Sequence, residues 1–243
     1  MTAWPESRGG GGLVAVVLAK AESWLLEPPP AAGVTAAPAS PPRPVVAVRG
    51  LSSGCGCSTV ARALAVAIAV DDPTGAAALV GGTDGARPRL AGAAAARLAR
   101  ELAELGCRGV HASGRLCLIP GGATGEVVAL HRPCPLVIDV SADSPPAEAL
   151  GLADRVVLVA AAADEPSLAA AVEDSLVRAG HRVEVVINRV AELEPAPVEP
   201  VGAIAIGESR LAAQVALACR GARGPFARPI AELADRCRAR AAG

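Results

Sequence analysis

The chain has 243 residues, of which 52% are hydrophobic, and a formal net charge of −1. That length fits one α/β domain with a short appendage. The balanced charge excludes a strongly basic surface of the kind that wraps DNA, and one Phe, two Trp and no Tyr exclude nucleic-acid binding by aromatic stacking.

Residues 1–27 read as an N-terminal appendage. Within it, 13–18 has the apolar run of a strand and 21–27 that of a helical turn or two. The apolar run from Leu13 to Ala19 is too short to cross a membrane, and no basic leader precedes it. The expectation is a cytoplasmic, soluble protein. Residues 28–44 are rich in Pro and Ala, cannot bury enough surface to fold, and read as a linker.

From Val45 to the end, at 243, the pattern is that of one domain. Continuous apolar runs at 45–48, 77–80, 116–119, 136–140, 156–160, 183–187 and 203–206 predict strands buried on both faces of a parallel sheet. Helices are predicted between them at 58–69, 90–105, 167–179, 209–219 and 227–241. In the second of these, Leu90, Ala94, Leu98, Leu102 and Leu105 form one stripe. In the third, Ser167 is placed to cap the start and Gly180 to end it. Strand–helix alternation predicts an α/β fold with a doubly wound, mostly parallel sheet flanked by helices.

Seven cysteines (55, 57, 107, 117, 134, 219 and 237) include no CxxC pair. They read as free thiols in a reducing compartment. Cys55 and Cys57 have no second pair and no His at ligand spacing, which argues against zinc. His111, His131 and His181 are isolated and read as surface or loop residues.

The segment from Val45 to Ala65 carries the strongest signal. A strand runs into a glycine-rich turn with Gly50, Gly54 and Gly56, and a helix begins near Ser58 and Thr59. Amides in such a turn, together with a helix N-terminus, form an anion cradle. The general phosphate-loop pattern is G-x-x-x-x-G-K-[ST]. Aligning Gly56-Cys57-Ser58 with G-K-[ST] puts Leu51 at the first glycine and Cys57 at the lysine. A thiol cannot neutralise charge between the β- and γ-phosphates as that lysine does.

This loop resembles the deviant phosphate loop of the MinD/ParA family, K-G-G-x-G-K-[ST], with Ser52 at the signature lysine and Cys57 at the common one. Gly54-Cys55-Gly56-Cys57-Ser58-Thr59 is closest to a branch with G-x-G-A-S-T, which holds the CpaE/TadZ-like proteins of pilus systems and septum-site-determining-like proteins. Further segments follow in the family's order. Leu136–Val140 ends near Asp139 as a Walker B strand does. Ala149-Leu-Gly-Leu-Ala-Asp-Arg-Val resembles the A-L-x-x-A-D-x-V segment, and Val185-Val-Ile-Asn-Arg resembles V-x-N-R. Ile204-Ala-Ile-Gly stands where I-P-x-D is usual, with Gly207 for the proline, and Gly81 replaces the first Asp of D-x-D, leaving Asp84 as the second.

The resemblance implies a P-loop domain holding ATP or ADP through Gly54, Cys55, Gly56, Cys57, Ser58, Thr59 and Asn188. It implies Mg²⁺ near Ser58 and Asp139, with Asn188 on adenine. The bland readings are that Asp139 is a plain strand end, Asn188 caps a turn, and Ser58 and Thr59 cap a helix, with no cofactor held at all. Cys57 also reads as a thiol activated by a helix N-terminus. Three functions remain open at this level. One is a non-hydrolysing positioning or assembly factor for a pilus, secretion or cell-division apparatus, with protein partners or a second copy of itself. Another is an active ParA-type ATPase with Arg49 or Arg62 replacing lysine. The third is a ligand-free scaffold. The last helix, with Ile230, Leu233, Ala234 and Cys237 on one side and Arg236, Arg238 and Arg240 near its end, reads either as packed on the sheet or as lying on an anionic membrane.

Overall fold

A computed structural model describes residues 43–81, 90–121, 134–140, 146–191 and 202–239. The expectations for residues 1–42, Asp84, His131 and Arg240 lie outside the described residues.

Eight strands form one sheet. They are β1 (Val45–Gly50), β2 (Ala77–Val80), β3 (His111–Ser113), β4 (Leu116–Ile119), β5 (Leu136–Val140), β6 (Arg155–Ala161), β7 (Val183–Val190) and β8 (Ile204–Gly207). Their order across the sheet is β3-β4-β2-β5-β1-β6-β7-β8. Every pairing is parallel except β3–β4. The helices are α1 (Cys57–Asp71), α2 (Ala93–Glu104), α3 (Pro146–Leu152), α4 (Pro166–Arg178), α5 (Arg210–Leu217) and α6 (Ala227–Arg238).

Successive residues of each strand face opposite sides, and each side has its own core. Val46, Val48, Leu79, Val157, Val159 and Ile206 pack against α1, α5 and α6. Val45, Ala47, Val80, Ile138 and Val156 pack against α2, α3 and α4. The doubly wound sheet is therefore as expected. Small Ala and Val side chains on the strands let the helices approach closely on both faces. The chain leaves β1 toward one edge of the sheet and leaves β6, its neighbour, toward the other. That reversal opens a crevice at the carboxyl ends of β1 and β6, the usual place for a ligand in such sheets.

Four local expectations are corrected. The short strand β3 was not foreseen; it makes an antiparallel edge hairpin with β4. Nor was α3, which the A-L-G-L run conceals. The second predicted helix starts three residues later than 90. Gly92 is extended there, and its N–H donates to Gly114 O at 2.8 Å, which ties the chain to a bridge before it can coil. Leu90 is 96% exposed and Leu105 57% exposed, so the buried stripe is Ala95, Leu98 and Leu102. Ser167 does not cap α4. Glu165 is the N-cap, Pro166 opens the helix, and Ser167 Oγ donates to Glu165 Oε1.

The apolar face of α6 is spent on α1 and on the edge of the sheet at β8, with Ile230, Leu233, Ala234 and Cys237 all buried. Its arginines are tied down as well. Arg236 pairs with Glu184 at 3.3 Å and Glu232 at 2.6 Å, and Arg238 pairs with Asp71 and Asp235, both at 2.6 Å. Of the two readings of this helix, sheet packing holds. No helix among the described residues is long and apolar enough to cross a membrane.

Candidate functional site

The loop between β1 and α1 lies at the crevice. Gly54 (φ +78°) and Gly56 (φ +92°) adopt left-handed backbone, which a side chain disfavours. Gly50 is required for space, because a Cβ there would lie 2.9 Å from Cys55 Sγ. The N-cap of α1 is Gly56, and no side chain caps the helix. Ser58 and Thr59 are thus not caps. The amides of the first turn have no partner within the helix.

The loop is fastened at three points. Leu51 N–H donates to Val159 O at 2.8 Å. Ser52 Oγ donates to Asp164 Oδ2 at 3.0 Å, and the same oxygen accepts from Ala161 N–H at 2.7 Å. Asn188, at the end of β7, donates from Nδ2 to Cys55 O at 2.8 Å. Asn188 therefore does not cap a turn. Its amide lies so close to the loop that a Cβ on Gly56 would collide with it.

Asp139 lies on β5 beside β1 and is fully buried. Cys57 Sγ is 3.4 Å from Asp139 Oδ1 and 3.3 Å from Val48 O, so its single proton bridges the loop to both strands. Burial pushes the Cys57 thiol far above its ordinary value, and the Asp139 charge adds to the shift. A neutral thiol is a poor nucleophile, so burial and the Asp139 charge both act against an activated thiol. Burial also raises the Asp139 carboxyl, while Ser58, Cys57 and the Arg62 guanidinium pull it back. Asp139 Oδ2 has no hydrogen-bond partner.

Gly81 follows β2 with φ +78°, and a Cβ there would lie 2.7 Å from Asp139 O. An aspartate at this position would strain the backbone and press on β5. Arg62 is buried in α1, and its Nη1 donates to Leu217 O at 2.8 Å, where α5 ends. Arg62 thus helps to close α5 while its guanidinium also acts on the Asp139 carboxyl.

Asn188 also lines a cavity of about 260 Å³ beside the loop, with Gly56, Thr59, Arg189, Glu208, Arg210 and Phe226. Asn188 is 3% exposed and its Oδ1 has no partner. Because Nδ2 is held by Cys55 O, the free end of the amide is an acceptor. It calls for a donor such as an exocyclic amine. Sequence reasoning named Gly56, Thr59 and Asn188 among the cavity's walls but not Arg189, Glu208, Arg210 or Phe226. Phe226, the chain's single Phe, and the Glu208-Ser209-Arg210 turn were the available signals.

Solved structures share this architecture. A ParA family ATPase from Chlorobium tepidum TLS superposes with a TM-score of 0.52 at 17% identity, over 79% of this chain and 98% of that one. The cell division ATPase MinD of Pyrococcus furiosus gives 0.55 at 17% identity, over 79% and 97%. A putative plasmid partition protein from Borrelia burgdorferi B31, bound to AMPPNP, gives 0.53 at 13% identity, over 81% and 98%. The fold is the MinD/ParA P-loop fold. No protein-family model and no curated protein sequence matches the chain.

Within the MinD/ParA fold the residues present divide into two groups. The uncapped start of α1 and the cavity at Asn188 fit a nucleoside with its first phosphates. The buried Asp139 Oδ2 and the Ser58 hydroxyl suit a hydrated divalent cation. The lysine positions do not fit a third phosphate, since Ser52 and Cys57 carry no charge and are bonded inward.

Proposed function

We propose that the chain is a nucleotide-binding positioning or assembly factor with a degenerate phosphate loop, nearest to the CpaE/TadZ-like and septum-site-determining-like branch. It holds an adenine nucleotide without efficient hydrolysis and acts through protein partners, a second copy of itself among them. The observation that carries this reading is the pair of buried, unpartnered acceptors, Asp139 Oδ2 and Asn188 Oδ1, placed on either side of an uncapped helix start. A ligand that supplies an amine, phosphates and a cation would satisfy all three. Bound Mg²⁺ would supply charge neutralisation between Ser58 and Asp139. Gly54, Cys55, Gly56, Cys57, Ser58 and Thr59 would cradle phosphate with backbone amides, and Asn188 would orient the base. The missing transition-state cation argues against turnover, since one such contact is worth several kcal/mol. Seven free cysteines suit the reducing cytoplasm.

The test joins two measurements on the full chain. Thermal melting with millimolar Mg-ATP or Mg-ADP should rise, and phosphate release should stay at background. No rise with either nucleotide would leave only the scaffold reading. Turnover that Asp139→Ala abolishes would make the protein an ATPase instead.

A further inference from the structure

We infer that this site is anchored at its base end and blind to the third phosphate, so that ADP and ATP are bound alike and the protein does not switch between nucleotide states. This inference rests on the nucleotide-binding reading above and says which part of the ligand is recognised.

The groups that would meet a γ-phosphate are already used. In a phosphate loop the lysine reaches the β- and γ-phosphates. Here Cys57 holds that position, and its thiol lies against Val48 O and Asp139 Oδ1. Ser52 carries no charge either, and its hydroxyl is spent on Asp164. Gly81 cannot be replaced by a carboxylate without a 2.7 Å approach to Asp139 O. A third phosphate would therefore add negative charge toward Asp139 and gain no cation from the loop.

The base end is built differently. Asn188 Oδ1 is buried and unpartnered, and its orientation is fixed by the bond from Nδ2 to Cys55 O. Two arginines, Arg189 and Arg210, line the cavity with Asn188 and with Gly56 and Thr59 at the start of α1. Charge recognition has thus moved toward the nucleoside and its first phosphates. Charge-assisted contacts there are the same for ADP and ATP.

Isothermal titration of the full chain with Mg-ADP and Mg-ATP tests this. The expected result is dissociation constants within about threefold of each other, because the metal accompanies both and no charged side chain distinguishes them. Asn188→Ala should weaken both together. Cys57→Lys should favour Mg-ATP over Mg-ADP by about tenfold, the scale of one new charge-assisted contact. Wild-type protein that binds Mg-ATP ten or more times tighter than Mg-ADP would overturn the inference and leave nucleotide binding intact. Absence of heat with both ligands, confirmed by unchanged melting, would remove both readings.

Discussion

Gly81→Ala is the substitution whose cost can be worked out most fully. The residue sits at φ +78°, and the new Cβ would be 2.7 Å from Asp139 O and 3.6 Å from Asp139 Cβ. Left-handed backbone costs a side chain roughly 1–2 kcal/mol. Relieving the clash means moving the β5 carbonyl or the β2 end, which adds about 1–3 kcal/mol, as in other overpacked sites. Alanine lowers the entropy of the unfolded chain, returning about 0.4–1 kcal/mol. The net loss is about 1–5 kcal/mol, with a central value near ~3 kcal/mol. For a domain of this size that central value is a fall in Tm of roughly 6–12 °C. Gly180→Ala is the control, since Gly180 has φ +91° and open space around it. It carries the backbone cost alone, about 1 kcal/mol. Urea unfolding followed by circular dichroism measures both. If Gly81→Ala loses no more than Gly180→Ala, the approach to Asp139 is not rigid, and the backbone does not forbid a carboxylate at this position.

Three other outcomes are expected. The carboxyl of Asp139 is raised from an ordinary value of 3.8, so the folded chain binds that proton more tightly than the unfolded one. This contribution to stability is lost as pH rises from 3.8 through the raised value and is level above it. Asp139→Asn should therefore gain on the wild type in urea midpoints as pH rises above 3.8, and a constant difference would contradict the assignment. Labelling with a thiol reagent at neutral pH should leave the native protein almost unmodified and reach all seven cysteines in denaturant, because six are buried and the Cys57 thiol is raised; rapid native labelling lost in Cys57→Ser would refute the neutral thiol. In co-sedimentation with anionic vesicles, Arg236→Ala and Arg238→Ala should change nothing, since both arginines serve intramolecular pairs; release from vesicles by either change would assign α6 to a membrane.

The sheet was legible because its strands are continuous apolar runs, and burial on both faces leaves few other arrangements. Strand β3 was not, since His111-Ala112-Ser113 is short and carries no run. Its pairing is set by Gly114 in the turn to β4. The stripe through Leu90 failed because propensity was overruled by the Gly92–Gly114 contact, which no local pattern announces. At the candidate site, Asp139 and Asn188 were singled out because their segments resemble the family's Walker B and V-x-N-R strands. Asp164, which holds Ser52, was not, because its role depends on β6 lying next to β1. Likewise Arg189, Glu208, Arg210 and Phe226 come from three segments, and only the fold brings them to one cavity.

The inward bonds of the loop bear on the choice between the proposed site and a scaffold. Ser52 is held by Asp164, Cys57 by Val48 and Asp139, and Cys55 by Asn188, so the loop is stable without a ligand. A loop with only that task would gain from an apolar residue at 139, because a buried carboxyl with a free oxygen carries an uncompensated desolvation cost. The same holds for the free oxygen of Asn188, whose other half already fastens the loop. Two such costs on facing sides of one helix start are not needed for the fold. The proposed ligand, with a donor at one end and a hydrated cation at the other, would relieve them together. Mg²⁺ with a nucleotide should therefore stabilise the chain more than either alone.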